Sequence, residues 1–108
     1  MDNELRREIN EFVDANRDAI LRDIARLVAI NSVEGERAPN APFGPGPRAA
    51  LDKGLEIARE LGLDAVDCEG KIGYACIGGG SDRYLATITH LDVVPVGEGW
   101  TEDPFTMR

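Results

Sequence analysis

The residues best suited to chemistry in this sequence are His90 and Asp92, within the segment His-Leu-Asp-Val-Val-Pro at residues 90–95. His90 is the only histidine among the 108 residues. An imidazole is the commonest protein ligand for zinc, and a nearby carboxylate that accepts the other ring N–H fixes the tautomer and strengthens the donor nitrogen. The pair therefore predicts the beginning of a metal site. A hydrogen-bonded structural histidine is the alternative interpretation.

A strand is predicted immediately before this pair. Residues 84–89 read Tyr-Leu-Ala-Thr-Ile-Thr, a mainly apolar run typical of a strand buried on both faces. His90 would then project from the carboxyl end of the strand. Open α/β sheets usually bind their ligands at that end, so the position suits a catalytic site.

The sequence after the pair extends the pattern to His-Leu-Asp-Val-Val-Pro-x-Gly-x-Gly-Trp-x-x-Asp-Pro-Phe over residues 90–105. This closely resembles the first metal-binding motif of the M20 metallopeptidase family. Residues 43–53, Phe-Gly-Pro-Gly-Pro-Arg-Ala-Ala-Leu-Asp-Lys, are similar to the segment that enters the second helix in the dipeptidase branch of that family. That branch includes bacterial enzymes of the carnosinase or Xaa-His type, and the resemblance runs over nearly the whole chain.

The resemblance implies a role for two residues. His90 would bind one of two zinc ions, and Asp92 would be the catalytic-site acid that positions a ligand and tunes the site. In the family, the bridging aspartate, the general-base glutamate, the other acidic ligands and the final histidine follow this motif. The resemblance therefore implies that residues 1–108 are the amino-terminal part of a single catalytic domain whose complete enzyme hydrolyses dipeptides.

Zinc binding by these 108 residues alone is expected to be weak or absent. A catalytic zinc site needs about three protein ligands and an open position for water. One histidine cannot supply that set, and the nearby Glu98, Glu102 and Asp103 lie on a glycine-rich segment that does not fix their positions. We expect the chain alone to be inactive.

Two other functions remain open. One is a non-catalytic, acidic binding or self-association module derived from a peptidase fold. The other is an aminoacylase, deacetylase or carboxypeptidase with the same metal chemistry, although residues 43–53 favour a dipeptidase. A reading frame that continues past Arg108 into acidic and histidine ligands is required by the dipeptidase hypothesis and not by the binding module.

The composition limits the partners. A chain of 108 residues with 43% hydrophobic residues fits one small domain. The net charge of −8 argues against nucleic acid, which requires a cationic surface. No apolar run is long enough to span a bilayer and the amino terminus lacks signal-peptide features, so we expect a cytoplasmic protein without a membrane partner. A partial sheet also predicts self-association through an exposed sheet or apolar face.

The predicted fold class is α/β, with two amino-terminal helices followed by strands of a mixed sheet, as a partial zinc-peptidase catalytic domain. The first helix is capped by Asp2 or Asn3, carries apolar residues as far as Val28, and is bent or interrupted within residues 14–18. A proline- and glycine-rich loop spans residues 34–47. The second helix runs from about residue 47 or 48 to 61, where Gly62 stops it.

Strands are predicted at residues 65–69 and 72–77, with a glycine-rich hairpin turn at 78–82 leading to the strand at 84–89. With a turn near Gly70, Cys68 should lie opposite residue 73 or 74 and Cys76 nearer Val66, which argues against a disulfide. Arg48 could face a substrate carboxylate, but pairing with local acids is favoured. Trp100 and Phe105 are predicted to anchor their loop, with pocket lining as the alternative.

Overall fold

The computed structural model describes residues 2–82 and 84–108. Among these residues, three helices precede a two-stranded antiparallel sheet, which confirms the predicted α/β class. The elements are α1 (Asn3–Ala15), α2 (Arg17–Val28), α3 (Pro45–Glu60), β1 (Asp64–Cys68) and β2 (Ile72–Cys76). Within the described residues, no helix is both long enough and apolar enough to cross a membrane.

The first predicted helix is interrupted at Asn16 and forms α1 and α2. Asp2 caps α1, because its Oδ1 accepts a hydrogen bond of 2.7 Å from the backbone N–H of Leu5. Asn16 leaves the helical conformation with φ −106° and ψ 9°, and its side-chain amide donates to the carbonyl of Phe12 at 2.8 Å. An asparagine that bonds the neighbouring backbone competes with helix continuation. The cap and the interruption within residues 14–18 are both confirmed.

Backbone geometry sets both ends of α3. The helix begins at Pro45, two residues before the earlier of the predicted starts, because a proline ring already holds the φ angle of a first helical turn. At the other end the N–H of Gly62 bonds the carbonyl of Arg59 at 2.9 Å, and the N–H of Leu63 bonds that of Ala58 at 3.0 Å. Gly62 has φ +84°, so this is a Schellman ending. The predicted stop is confirmed.

The strands β1 and β2 form a hairpin whose register differs from the prediction. Cys68 lies opposite Ile72, and Cys76 lies opposite Asp64 at the far end. The turn takes up residues 69–71, with Glu69 and Gly70 both at positive φ, and the pairing is symmetric about Gly70. Each cysteine therefore lies opposite a residue one or two positions from the predicted one. Both cysteines are free and lie at opposite ends of the hairpin.

The core lies where α3 packs on the hairpin. Its buried apolar residues are Ala41, Ala50, Leu55 and Ile57. A Cβ added to Gly73 would come within 2.8 Å of side-chain carbons of both Leu51 and Leu55. The absence of a side chain on β2 therefore lets the helix approach the strand closely.

The prediction of a buried strand at residues 84–89 is wrong. Tyr84, Leu85 and Ile88 are 89%, 94% and 97% exposed. Within the described part of the chain, this segment has no neighbouring strand, and the glycine-rich turn at 78–82 therefore closes no hairpin. An apolar run can join a sheet only where another strand offers its backbone groups, and the only described sheet contains β1 and β2.

A charged contact joins α2 to α3. Arg26 donates a hydrogen bond from each terminal nitrogen to the carboxylate of Glu60, at 2.6 and 3.0 Å. The same guanidinium reaches Asp23 at 3.1 Å and Glu56 at 3.3 Å. The hydrogen bonds from Arg26 are the main cause of a lowered pKa of the Glu60 carboxyl group. This fork-to-fork geometry fixes the position of α2 more firmly than a single contact would.

We expect Arg26→Met to lower the melting temperature by a few degrees at neutral pH, because the variant leaves three carboxylates without their shared cation. Because the folded pKa of Glu60 is depressed, the stabilisation is complete above the ordinary carboxyl pKa. It is lost as the pH falls through the folded value. Thermal unfolding followed by circular dichroism at several pH values measures both effects.

Arg6→Met is the matched control, because the Arg6 side chain makes no ion pair with the residues that the structure describes. A loss of melting temperature that is equal in both variants, or constant down to strongly acidic pH, would contradict the role of Arg26.

Candidate functional site

The segment carrying His90 and Asp92 is held against the chain that follows α2. The hydroxyl of Ser32 donates to the carbonyl of Leu91 at 2.7 Å, and the N–H of Val93 donates to the carbonyl of Ser32 at 3.3 Å. Val33 and Val93 form an isolated parallel bridge. Ser32 is the only buried polar residue in the described chain, at 3% exposed. The Ser32 side of these hydrogen bonds is therefore shielded from water.

A second contact fixes the segment against α3. A Cβ added to Gly54 would come within 2.8 Å of Cδ1 of Leu91, so the leucine lies directly over the glycine. Leu91 therefore anchors the segment between two residues that remain exposed, His90 and Asp92. Sequence reasoning missed Ser32 and Gly54. A glycine inside a helix was the available signal, because such a residue often marks close packing.

The imidazole of His90 lies beside Asp92. Its Nδ1 is 3.3 Å from Oδ1 of Asp92 and 3.0 Å from the backbone carbonyl oxygen of the same residue. Protonated Nδ1 can donate to either oxygen, and Nε2 then carries the free lone pair. The structure thus brings the two predicted site residues together. Their roles in metal binding stay predictions.

A groove of about 530 Å³ adjoins this pair. Leu51 of α3, Ile72 of β2 and Phe43 give it an apolar surface. Glu34 and Lys71 place opposite charges on its lining, together with His90 and Asp92. The arrangement can hold a small molecule with apolar and charged parts next to the imidazole.

The described residues supply only part of a metal site. Within residues 2–82 and 84–108, no group of three or more His, Cys, Asp and Glu side chains is placed to hold a metal ion. Two carboxylates of the following loop are engaged elsewhere, since Glu102 pairs with Arg108 at 2.9 Å and Asp103 accepts from the N–H of Phe105 at 2.9 Å. His90 therefore fits as one ligand, whereas a catalytic zinc needs about three protein ligands.

Arg48 pairs with local acids, as favoured from the sequence. It contacts Asp52 one turn along α3 and Asp67 on β1 at 2.8 Å. Asp67 also accepts the N–H of Gly70 at 2.8 Å. These hydrogen bonds lower the pKa of the Asp67 carboxyl group, with Arg48 as the larger cause. Arg48 therefore ties α3 to the hairpin turn, which carries Lys71 of the groove lining.

The two aromatic residues of the last loop differ in exposure. The indole N–H of Trp100 donates to the carbonyl of Val96 at 2.7 Å, although the side chain is 59% exposed. This hydrogen bond ties the ring to its own loop. Phe105 is partly buried. Neither Trp100 nor Phe105 is among the residues that line this groove. The alternative prediction, that they line a pocket, therefore does not hold for this groove.

The sequence of this chain is similar to those of known proteins over most of its length. No protein-family model matches the sequence. A Beta-Ala-Xaa dipeptidase of Lactobacillus delbrueckii subsp. lactis is 44% identical over 100 residues, covering 91% of this chain and 21% of that protein. This chain is thus similar in sequence to a dipeptidase over most of its own length. A protein of Staphylococcus aureus strain USA300, provisionally named a dipeptidase, is 41% identical over 97 residues, covering 88% of this chain and 20% of that protein.

The match covers most of this chain but only a small part of each relative. The chain spans about a fifth of the length of the curated relatives it matches. The matched region takes up most of the chain.

We expect Arg48→Met to raise the pKa of Asp67 toward its ordinary value, because the variant removes the larger of the two hydrogen-bond contributions. Carboxyl ¹³C chemical shifts followed across an acid titration measure it. Arg37→Met is the control, since Arg37 is a nearby arginine without an ion pair in the described chain. An unchanged Asp67 titration in Arg48→Met would contradict the proposed tie.

We expect neutral His90 to carry its proton mainly on Nδ1, because that nitrogen faces two oxygens of Asp92. Asp92→Ala should shift the tautomer ratio toward Nε2–H, whereas Asp14→Ala on α1 should not. Long-range ¹H–¹⁵N spectra at alkaline pH distinguish the tautomers. Equal ratios in the wild type and Asp92→Ala would show that the carboxylate does not orient the ring.

Proposed function

We propose that the complete protein is a zinc-dependent dipeptidase of the M20 family and that this chain contributes its first metal-binding motif. The single observation that carries the proposal is the pairing of His90 Nδ1 with Asp92 beside a groove, in a chain related to dipeptidases. The proposal requires further ligands from the complete protein, because the described residues offer one imidazole.

In this proposal His90 is a metal ligand through Nε2, and Asp92 is the residue that orients it. A carboxylate that accepts the Nδ1 proton holds the ring in one tautomer and makes the opposite nitrogen a better donor. Bound zinc supplies Lewis-acid polarisation of a scissile carbonyl and lowers the pKa of a bound water. The chain's own contribution is to hold the imidazole at a defined place and in a defined protonation state.

The packing around the segment supports that assignment. Leu91 lies between His90 and Asp92, and it is fixed by the hydroxyl of Ser32 and by contact with Gly54. A ligand set is effective only when supporting contacts limit its movement to a fraction of an ångström. Partly buried contacts on the residue between them restrict the backbone that carries both functional side chains.

The groove supports a small substrate. Its volume of about 530 Å³ falls within the range of small-molecule pockets. Phe43, Leu51 and Ile72 provide apolar surface for substrate side chains. Because one relative is named a Beta-Ala-Xaa dipeptidase, dipeptides with amino-terminal β-alanine belong among the first substrates to test.

The experiment compares the wild-type complete protein with His90→Ala and Asp92→Asn. We expect His90→Ala to lose zinc and to reduce hydrolysis of a β-alanyl dipeptide at least about 100-fold, because a direct ligand is removed. Asp92→Asn should cost roughly 10- to 100-fold, as is usual for a residue that orients a ligand. Zinc is measured by elemental analysis, and hydrolysis is measured with and without a chelator.

Glu8→Gln, on the exposed surface of α1, is the control for a change of charge far from the groove. Wild-type protein that hydrolyses no dipeptide, or a folded His90→Ala variant that retains both zinc and activity, would overturn the proposal.

A further inference from the structure

Gly54 is a glycine in the interior of α3 that the backbone conformation of the helix does not require. It is the tenth of the 16 residues of α3, and its φ angle lies outside the left-handed region. Alanine is more favourable than glycine in a helix interior, because glycine loses more conformational freedom when the helix forms. A glycine at this position therefore makes α3 less stable than an alanine would, unless the alanine side chain would meet a neighbour.

The neighbour is Leu91. A Cβ built on Gly54 would lie 2.8 Å from Cδ1 of Leu91. No other atom of the described chain lies within 4 Å of that Cβ, once the nearby backbone of α3 and the two adjoining residues are set aside. Carbon atoms in contact are normally about 3.5–4.0 Å apart, so an alanine would push the Leu91 side chain away from the helix by about an ångström.

The backbone around Leu91 carries such a displacement to its neighbours. The carbonyl of Leu91 accepts a hydrogen bond of 2.7 Å from the buried hydroxyl of Ser32, and the N–H of Val93 donates to the carbonyl of Ser32 at 3.3 Å. The second hydrogen bond is longer than usual, so a small shift is enough to break it. The side chains of His90 and Asp92, on either side of Leu91, are 82% and 64% exposed. Little packing of their own would hold them if the segment moved.

We propose that Gly54 is a positioning residue for His90 and acts through Leu91. The missing side chain lets Leu91 pack directly on α3, and this contact sets the place of the segment that carries the imidazole. A metal ligand has to stay within about 0.5 Å of its working geometry, which a displacement of about an ångström exceeds. The inference rests on the proposed function for the metal itself. It goes further by assigning to α3 a residue that lowers helix stability and thereby holds the ligand in place.

The test uses the complete protein with Gly54→Ala, Leu91→Val and the double variant. Valine has no δ carbon, so Leu91→Val leaves room for the Cβ that Gly54→Ala adds. Thermal unfolding gives the melting temperature, and competition with a chelator of known affinity gives the zinc dissociation constant. Hydrogen exchange in the zinc-free protein, followed by mass spectrometry of a peptide that contains Val93, reports on the Val93–Ser32 hydrogen bond without any metal.

We expect Gly54→Ala to keep or raise the melting temperature, because the helix gains a more favourable residue and only the end of a flexible side chain has to move. The same variant should weaken zinc binding about tenfold, as is usual when a contact that supports a metal ligand is lost. In the zinc-free protein the Val93 amide should exchange at least about fivefold faster, because its hydrogen bond to Ser32 opens more often.

The double variant should recover both properties. Leu91→Val alone should weaken zinc binding, since it empties the space over Gly54. Together with Gly54→Ala it should bring zinc binding and Val93 exchange to within about twofold of the wild type, because the added methyl group fills that space and residues in contact have non-additive effects. Asn10→Ala, on the exposed surface of α1, is the matched control. It also replaces a poor helix former with alanine, and it should leave zinc binding and Val93 exchange unchanged.

The outcomes distinguish this inference from the proposed function. Unchanged Val93 exchange in Gly54→Ala, a melting temperature well below that of the wild type, or no recovery in the double variant would overturn the role of Gly54. So would zinc binding that stays constant while Val93 exchange changes. Chelator-sensitive dipeptide hydrolysis by the wild type, together with any of these results, would leave the proposed function standing alone.

The opposite result is equally decisive. Faster Val93 exchange in Gly54→Ala that the double variant reverses, in a protein that neither binds zinc nor hydrolyses dipeptides, would retain Gly54 as the residue that positions His90. That result would overturn the proposed function.

Discussion

The hydrogen bond from the buried Ser32 hydroxyl to the carbonyl of Leu91 is the constraint on which the candidate site depends. It joins residues 59 positions apart and is reinforced by the contact of Leu91 with α3. The preceding segment at residues 84–89 is exposed and pairs with no strand in the described chain. The segment that carries His90 and Asp92 is therefore held in place by the contacts of Leu91 and Val93, and not by pairing within a sheet.

Features determined by neighbouring residues could be predicted from the sequence. Asp2 caps α1 and Gly62 ends α3 through contacts within a few positions, so residue type was sufficient. The structure of residues 84–89, which form no strand, could not be predicted in the same way. Their apolar pattern indicates only a capacity to pair, whereas a ladder needs a partner strand whose position depends on the rest of the fold.

The candidate site shows the same difference between contacts of neighbouring residues and contacts of residues distant in the sequence. His90 and Asp92 are two positions apart, so their proximity followed from the sequence, and Nδ1 of His90 lies 3.3 Å from the carboxylate. Ser32, Glu34 and Lys71 come near this pair only through the bridge at Val33 and the hairpin turn. No local pattern indicated that these distant residues would meet.

The absence of buried residues in α1 and α2 has a consequence for the order in which the molecule opens. An isolated helix of 13 residues is marginal in water, and α1 gains little from packing. The buried apolar residues instead lie within residues 41–57. Amide hydrogens of α1 should therefore exchange through frequent fraying while those of α3 exchange mainly through global unfolding. Leu91 contacts α3, so the candidate site belongs to the part of the molecule that unfolds last.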